Sequence, residues 1–236
     1  MKNRTENERM RLRHLGYLRL LIVEILLIGF LPLCIFASWV LSLTLILLCF
    51  VVMTCLARFS LLRGSENRIF YWFGSCAILT ELVWRLAFLI GDPLGRLLSP
   101  IHLVVWICFI GLSLYRLIRV LNKEPTVSIR VVMGAVAGYL LIGIGGGILL
   151  NSVWVLHPYA FDISVMEPAN NAVLSNRYAP TLMASSFAML STLGSNIFTG
   201  DLFGRVSGVA ISLVGQLYIV VLIGLILGPV EPLSLR

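Results

Sequence analysis

Residues 185–201 read SSFAMLSTLGSNIFTGD, and the apolar stretch behind them contains GQLYIVVLI at 215–223. A short polar turn on Thr192, Gly194 and Asn196 therefore sits between two apolar segments, although such turns normally sit in water. The twelve residues before it, TLMASSFAMLST at 181–192, are too few to cross a bilayer, since a helix needs roughly 20 residues to span about 30 Å. The segment is expected to enter the membrane and return to the same face. Lipid offers no hydrogen bonds to the backbone, so a re-entrant loop survives only when protein surrounds it or when it lines water. One chain of this size hardly encloses such a loop; a ring of copies does.

The rest of the chain supports a membrane setting. Of 236 residues, 59% are hydrophobic and only 12% charged, with a mean hydropathy of +0.97; soluble domains carry about 25% charged residues. The net charge of +7 falls in short clusters between apolar runs and not in a basic stripe interleaved with aromatics, which argues against nucleic acid as a partner. The run from Leu20 to Leu56 is too long for one crossing, and Pro32 with Ala37-Ser38 offers a place to turn. Two spans are expected there. Four more follow at about 69–90, 101–121, 131–152 and 205–228, for six in all. The basic start followed by this apolar run reads as an uncleaved anchor, because CIFAS at 34–38 is a poor cleavage site.

Positive charge marks the cytoplasmic side of membrane proteins. With six spans and both termini inside, fourteen Lys and Arg lie on the inner side and only Arg96, Arg177 and Arg205 on the outer side, while Arg85 lies within a span. The expected location is the cell membrane. Five cysteines, Cys34, Cys49, Cys55, Cys76 and Cys108, all fall in spans, with neither zinc-site nor redox-pair spacing, and read as small apolar fillers. His14, His102 and His157 are scattered and suggest no metal centre. No nucleophile-base set, phosphate loop or paired carboxylate site appears, so an enzyme is not expected.

Pro180 suits the first turn of a short helix running inward. Its C-terminus near Ser191 would aim a partial negative charge at the membrane interior, favouring a cation there. Together, the short helix, the STLGSNI turn at 191–197 and the following helix GRVSGVAISLVGQLYIVVLIGLI resemble the tetrameric potassium-channel superfamily, whose filter reads T-[TL]-[VL]-G-Y-G-D. The resemblance covers about residues 131–228. It implies an all-α membrane protein of six transmembrane helices with a re-entrant pore helix and loop between the fifth and sixth. Its parts would be a basic cytoplasmic segment at 1–19, a four-helix sensor-like unit at 20–123, a pore unit at 124–228 and a short cytoplasmic tail at 229–236. It implies a homotetramer in the bilayer, with no soluble partner and no cofactor, passing potassium or sodium.

On that resemblance the filter positions are Ser191, Thr192, Leu193, Gly194, Ser195 and Asn196. Rings of backbone carbonyls facing one axis need residues with φ above zero, which Gly194 supplies without steric cost and Asn196 tolerates better than most. Ser195 stands where the family has its bracing tyrosine, Asn196 where it has a second glycine, and Ile197 where it has aspartate. Asp201 is the candidate charge at the outer mouth, and Gly208 and Gly215 are candidate hinges of a gate. These substitutions imply weak or non-standard selectivity. The alternative is a non-conducting scaffold or modulatory subunit that keeps the pore fold; a transporter fits less well, as no internal repeat is visible.

Three further groups fall within spans, where ionisable residues are costly. Glu81 and Arg85 lie four apart on one helix face and are expected to pair. Glu24 has no evident partner in the sequence. Arg116, Arg119 and Lys123 cluster at the cytoplasmic end of the fourth span and read as topology anchors, not gating charges.

Overall fold

A computed structural model of the chain describes residues 2–34, 36–59, 64–122, 128–162, 178–191, 193–194, 197 and 201–227. Among these residues the fold is helical, with seven α-helices: α1 (Lys2–Cys34), α2 (Ser38–Phe59), α3 (Gly64–Ile90), α4 (Asp92–Leu121), α5 (Ile129–Leu156), α6 (Ala179–Leu190) and α7 (Leu202–Leu227), plus a 3-10 turn at Pro158–Ala160. Stretches in α1, α2, α4, α5 and α7 are long and apolar enough to cross a membrane, making this a multi-pass membrane protein. The intervening α3 is comparable in length, but Glu81 and Arg85 interrupt its apolar stretch.

Helix ends depart from the sequence expectation in instructive ways. Pro32 lies inside α1, and the turn falls at 35–37, where the Phe36 and Ala37 amides both donate to the Leu33 carbonyl at 3.1 Å. Residues 2–19 of the basic segment are continuous with the first span as one 33-residue helix. The loop expected over 91–100 is reduced to Gly91, because Pro93 sits in the first turn of α4, where a missing N–H costs nothing. Arg96 accordingly lies on α4.

The α3–α4 hairpin has a single register. Gly95 lies flat against the Phe88 ring, Trp84 Nε1 donates to Ser99 Oγ at 2.8 Å, His102 Nε2 meets Glu81 Oε2 at 2.8 Å, and Arg116 donates to Asn67 Oδ1 at 3.2 Å. All four pairs are centred on the Gly91–Asp92 bond. Steps of three and four residues repeat along α3 from Phe88 to Trp84 to Glu81, the spacing that keeps side chains on one helix face.

The hub is α5, which packs against α1, α4, α6 and α7. Its glycines make this possible. Gly134 receives Tyr17 and Leu121, Gly138 receives Tyr218 and Leu117, Gly143 receives Phe187, Gly146 receives Ile211, and Gly147 receives Met183. Small residues let helix axes approach closely where lipid supplies no hydrophobic push. In the sequence, GIGGG at 143–147 and the small-xxx-small pair Gly134 and Gly138 read as sites of close helix packing, and these contacts are of that kind. Two buried clusters result, one between α1–α5 and the start of α6, the other between α3, α4 and α5 and helices α6 and α7.

Candidate functional site: the short helix and the turn behind it

The short helix α6 begins with Pro180 in its first turn, as the sequence predicts, and runs antiparallel to α5. Met183 lies on Gly147 and Phe187 on Gly143, while Tyr139 Oη donates to the Leu190 carbonyl at 2.7 Å. Ser186 Oγ donates to the Gly143 carbonyl at 2.6 Å, so a side-chain bond reinforces the glycine contacts. Ser191 caps the C-terminal end.

Direction is the informative feature, because α7 also runs antiparallel to α5: Ile211 lies on Gly146, and Tyr218 lies on Gly138 and donates to the Ala135 carbonyl at 2.9 Å. Two successive helices pointing the same way require the chain between them to travel back. At its deep end α6 meets α7 through Leu190 on Gly215 and through Ser212 Oγ, which donates to the Met189 carbonyl at 3.2 Å. At its start α7 meets the C-terminal end of α5, where the Phe203 ring stacks on His157 at 4.6 Å. The end of α6 and the start of α7 therefore lie about 20 Å apart, the rise of the 13 residues from Leu202 to Gly215. The Ile197 carbonyl accepts from the Asp162 amide at 2.6 Å, tying Ile197 to the segment after α5.

Gly194 has φ 74 and is the glycine with positive φ among the described residues, which matches the backbone requirement read from the sequence. A Cβ there would meet nothing within 4 Å, so the left-handed backbone, not crowding, favours glycine. Leu193 is 84% exposed, and Ser191 is exposed as well. This part of the turn faces away from its own chain. Thr192, Ser195 and Asn196 lie outside the described residues.

Asp201 sits immediately before α7, where its Oδ2 accepts from the Phe203 amide at 3.1 Å. A carboxylate at this position satisfies a free N–H and complements the positive helix end. Both Gly208 and Gly215 lie on the buried side of α7. The opposite sides of α7 expose Leu202, Phe203, Val206, Val209, Leu213, Leu217 and Val220.

Among the ionisable groups inside the bundle, one contact goes beyond the sequence expectation. Glu81 meets His102, a contact the reading of Glu81 with Arg85 did not anticipate. Arg85 lies close enough to feel the Glu81 charge. Glu24 is fully buried, and neither carboxyl oxygen has a hydrogen-bond partner among the described residues. Arg116 is buried, with its guanidinium 4.2 Å over the Phe70 ring, and is thereby fixed between α3 and α4. Among the described residues no group of three or more His, Cys, Asp or Glu is placed to hold a metal. Compared with protein-family models, curated proteins and solved structures, the chain matches none.

Proposed function

We propose that this protein is a homotetrameric cation channel of the potassium-channel-like class, with six spans per chain, both termini cytoplasmic, and α6 with residues 191–201 as a re-entrant pore loop. The observation that carries the reading is the parallel course of α6 and α7, which obliges the intervening turn to return to the face it came from. Supporting it are the positive φ at Gly194 and the exposure of Ser191 and Leu193 away from the chain's own body. A fourfold ring would surround these groups and cover part of the exposed α7 surface. Carbonyls along the turn would then replace the hydration shell of a permeant cation, with the C-terminus of α6 adding its negative dipole end.

Selectivity follows from the side chains. Ser195 cannot brace a ring as an aromatic does, so the pore passes potassium and sodium with little discrimination. Reversal potentials of reconstituted protein under opposed potassium and sodium gradients test this directly. Ser195→Tyr with Asn196→Gly should raise potassium preference, and each change alone should do less because the two act on one ring. Strong potassium selectivity in the unmodified protein would refute the loose filter. Tetramers without flux in either protein would replace the channel with the non-conducting scaffold.

A further inference from the structure

Between α2, α3, α4, α5 and α6 lies a cavity of about 20 Å³, lined by Ser42, Glu81, Arg85, His102, Asn151 and Met183 among others. It sits about 15 Å below the Gly91 turn, the rise of the ten residues from Glu81. A cavity needs roughly 10–15 Å³ by this measure to hold one water, together with two or more polar partners. Both conditions are met. His102 Nδ1 and Asn151 Oδ1 are buried without a hydrogen-bond partner, and both residues are at least nine-tenths buried.

The other faces of His102 are fully engaged. Its Nε2 meets Glu81 Oε2 at 2.8 Å, and its ring stacks on Trp84 with centroids 4.6 Å apart and planes within 9°. Trp84 is itself held by Ser99. With a carboxylate beside it, Nε2 carries a hydrogen, which leaves Nδ1 of the neutral ring as an acceptor. Nδ1 and the Asn151 amide oxygen are then two acceptors on one cavity. A single water donates one hydrogen to each.

We propose that Glu81, His102 and Asn151 form a proton-binding site: one water bridges His102 Nδ1 to Asn151 Oδ1, and a proton taken from bulk water adds at Nδ1. In the loaded state both ring nitrogens donate, Nε2 to Glu81 and Nδ1 to the water or to Asn151 Oδ1, and the stacked Trp84 face favours the cationic ring. The hydrogen bond at Nδ1 reverses direction and no covalent bond other than N–H changes. Arg85 of α3 is the remaining charged group on the cavity; α2 presents Ser42, α5 presents Asn151, and α6 presents Ala179 and Met183, none of them titratable. The site stands whether or not the protein conducts ions.

The chain holds three histidines, which allows a direct test. In full-length protein carrying His14→Gln and His157→Gln and labelled with 15N-histidine, the remaining imidazole signal belongs to His102. Expected is a neutral ring protonated at Nε2 with Nδ1 in a hydrogen-bonded acceptor state at pH 8, and an imidazolium donating from both nitrogens at pH 5. A ring whose charge is the same at both pH values overturns the proposal. Adding Asn151→Leu fills the cavity and removes the second acceptor, and should weaken proton binding about tenfold, the effect of losing one charge-assisted hydrogen bond. An unchanged titration in that variant would also overturn it.

Discussion

Glu24 is a carboxyl on α1 that is buried without a hydrogen-bond partner among the described residues. An unpaired buried polar group costs about 1–3 kcal/mol, and replacing it by an apolar side chain of similar shape removes that cost. Glu24→Met should therefore raise the thermal midpoint in detergent, equivalent to roughly 1–3 kcal/mol. A fall in midpoint would reveal that the carboxyl is held by something outside the single chain. Sequence alone marks Glu24 as costly, but it gives no partner, because burial and neighbours depend on how α1 packs against the other helices.

Among the elements, α5 makes the sharpest prediction. At Gly147 an added methyl would meet Met183, including its backbone Cα at 2.9 Å, whereas at Gly111 it would meet nothing within 4 Å. Gly147→Ala should lower stability by about 1–3 kcal/mol through overpacking. Gly111→Ala should be neutral or gain up to about 1 kcal/mol from helix propensity. Equal thermal shifts for the two would show that α6 does not rest on α5 as described. The packing role of these glycines is legible from GIGGG and the small-xxx-small pair, as are the short α6 and its Pro180 start, because spacing on one helix face is a local property. The contact of Glu81 with His102 is not. Those residues stand 21 apart, and their meeting depends on where the hairpin turns. Placing a ten-residue loop at 91–100 shifted the register and hid it, and the turn-favouring Gly91 and Pro93 were the available signal that α4 starts at once.

For the whole molecule, orientation rests on charge. Fourteen basic residues fall on one side of the proposed topology and three on the other, so single cysteines at Asn170 and Ser65, in a background lacking the five native ones, should be labelled from opposite faces of sealed vesicles. Labelling of both from one face would reverse the arrangement of the later helices. The longer reach of the sequence reading, six crossings and a ring of four, depends on contacts a single chain does not make, and cysteine accessibility together with the mass of the detergent-solubilised complex would measure them.

The hairpin centred on the Gly91–Asp92 bond carries a further consequence for how this protein tolerates change in length. One residue inserted at that bond turns α4 by 100° and slides it about 1.5 Å relative to α3. Phe88 then loses Gly95, Trp84 loses Ser99, Glu81 loses His102 and Asn67 loses Arg116 in a single event, although no side chain has been altered. Insertion of one alanine there should collapse thermal stability more than any single substitution along either helix. The hairpin behaves like a zip fastener whose teeth mesh at one setting only, and the stop that fixes the setting is a single glycine.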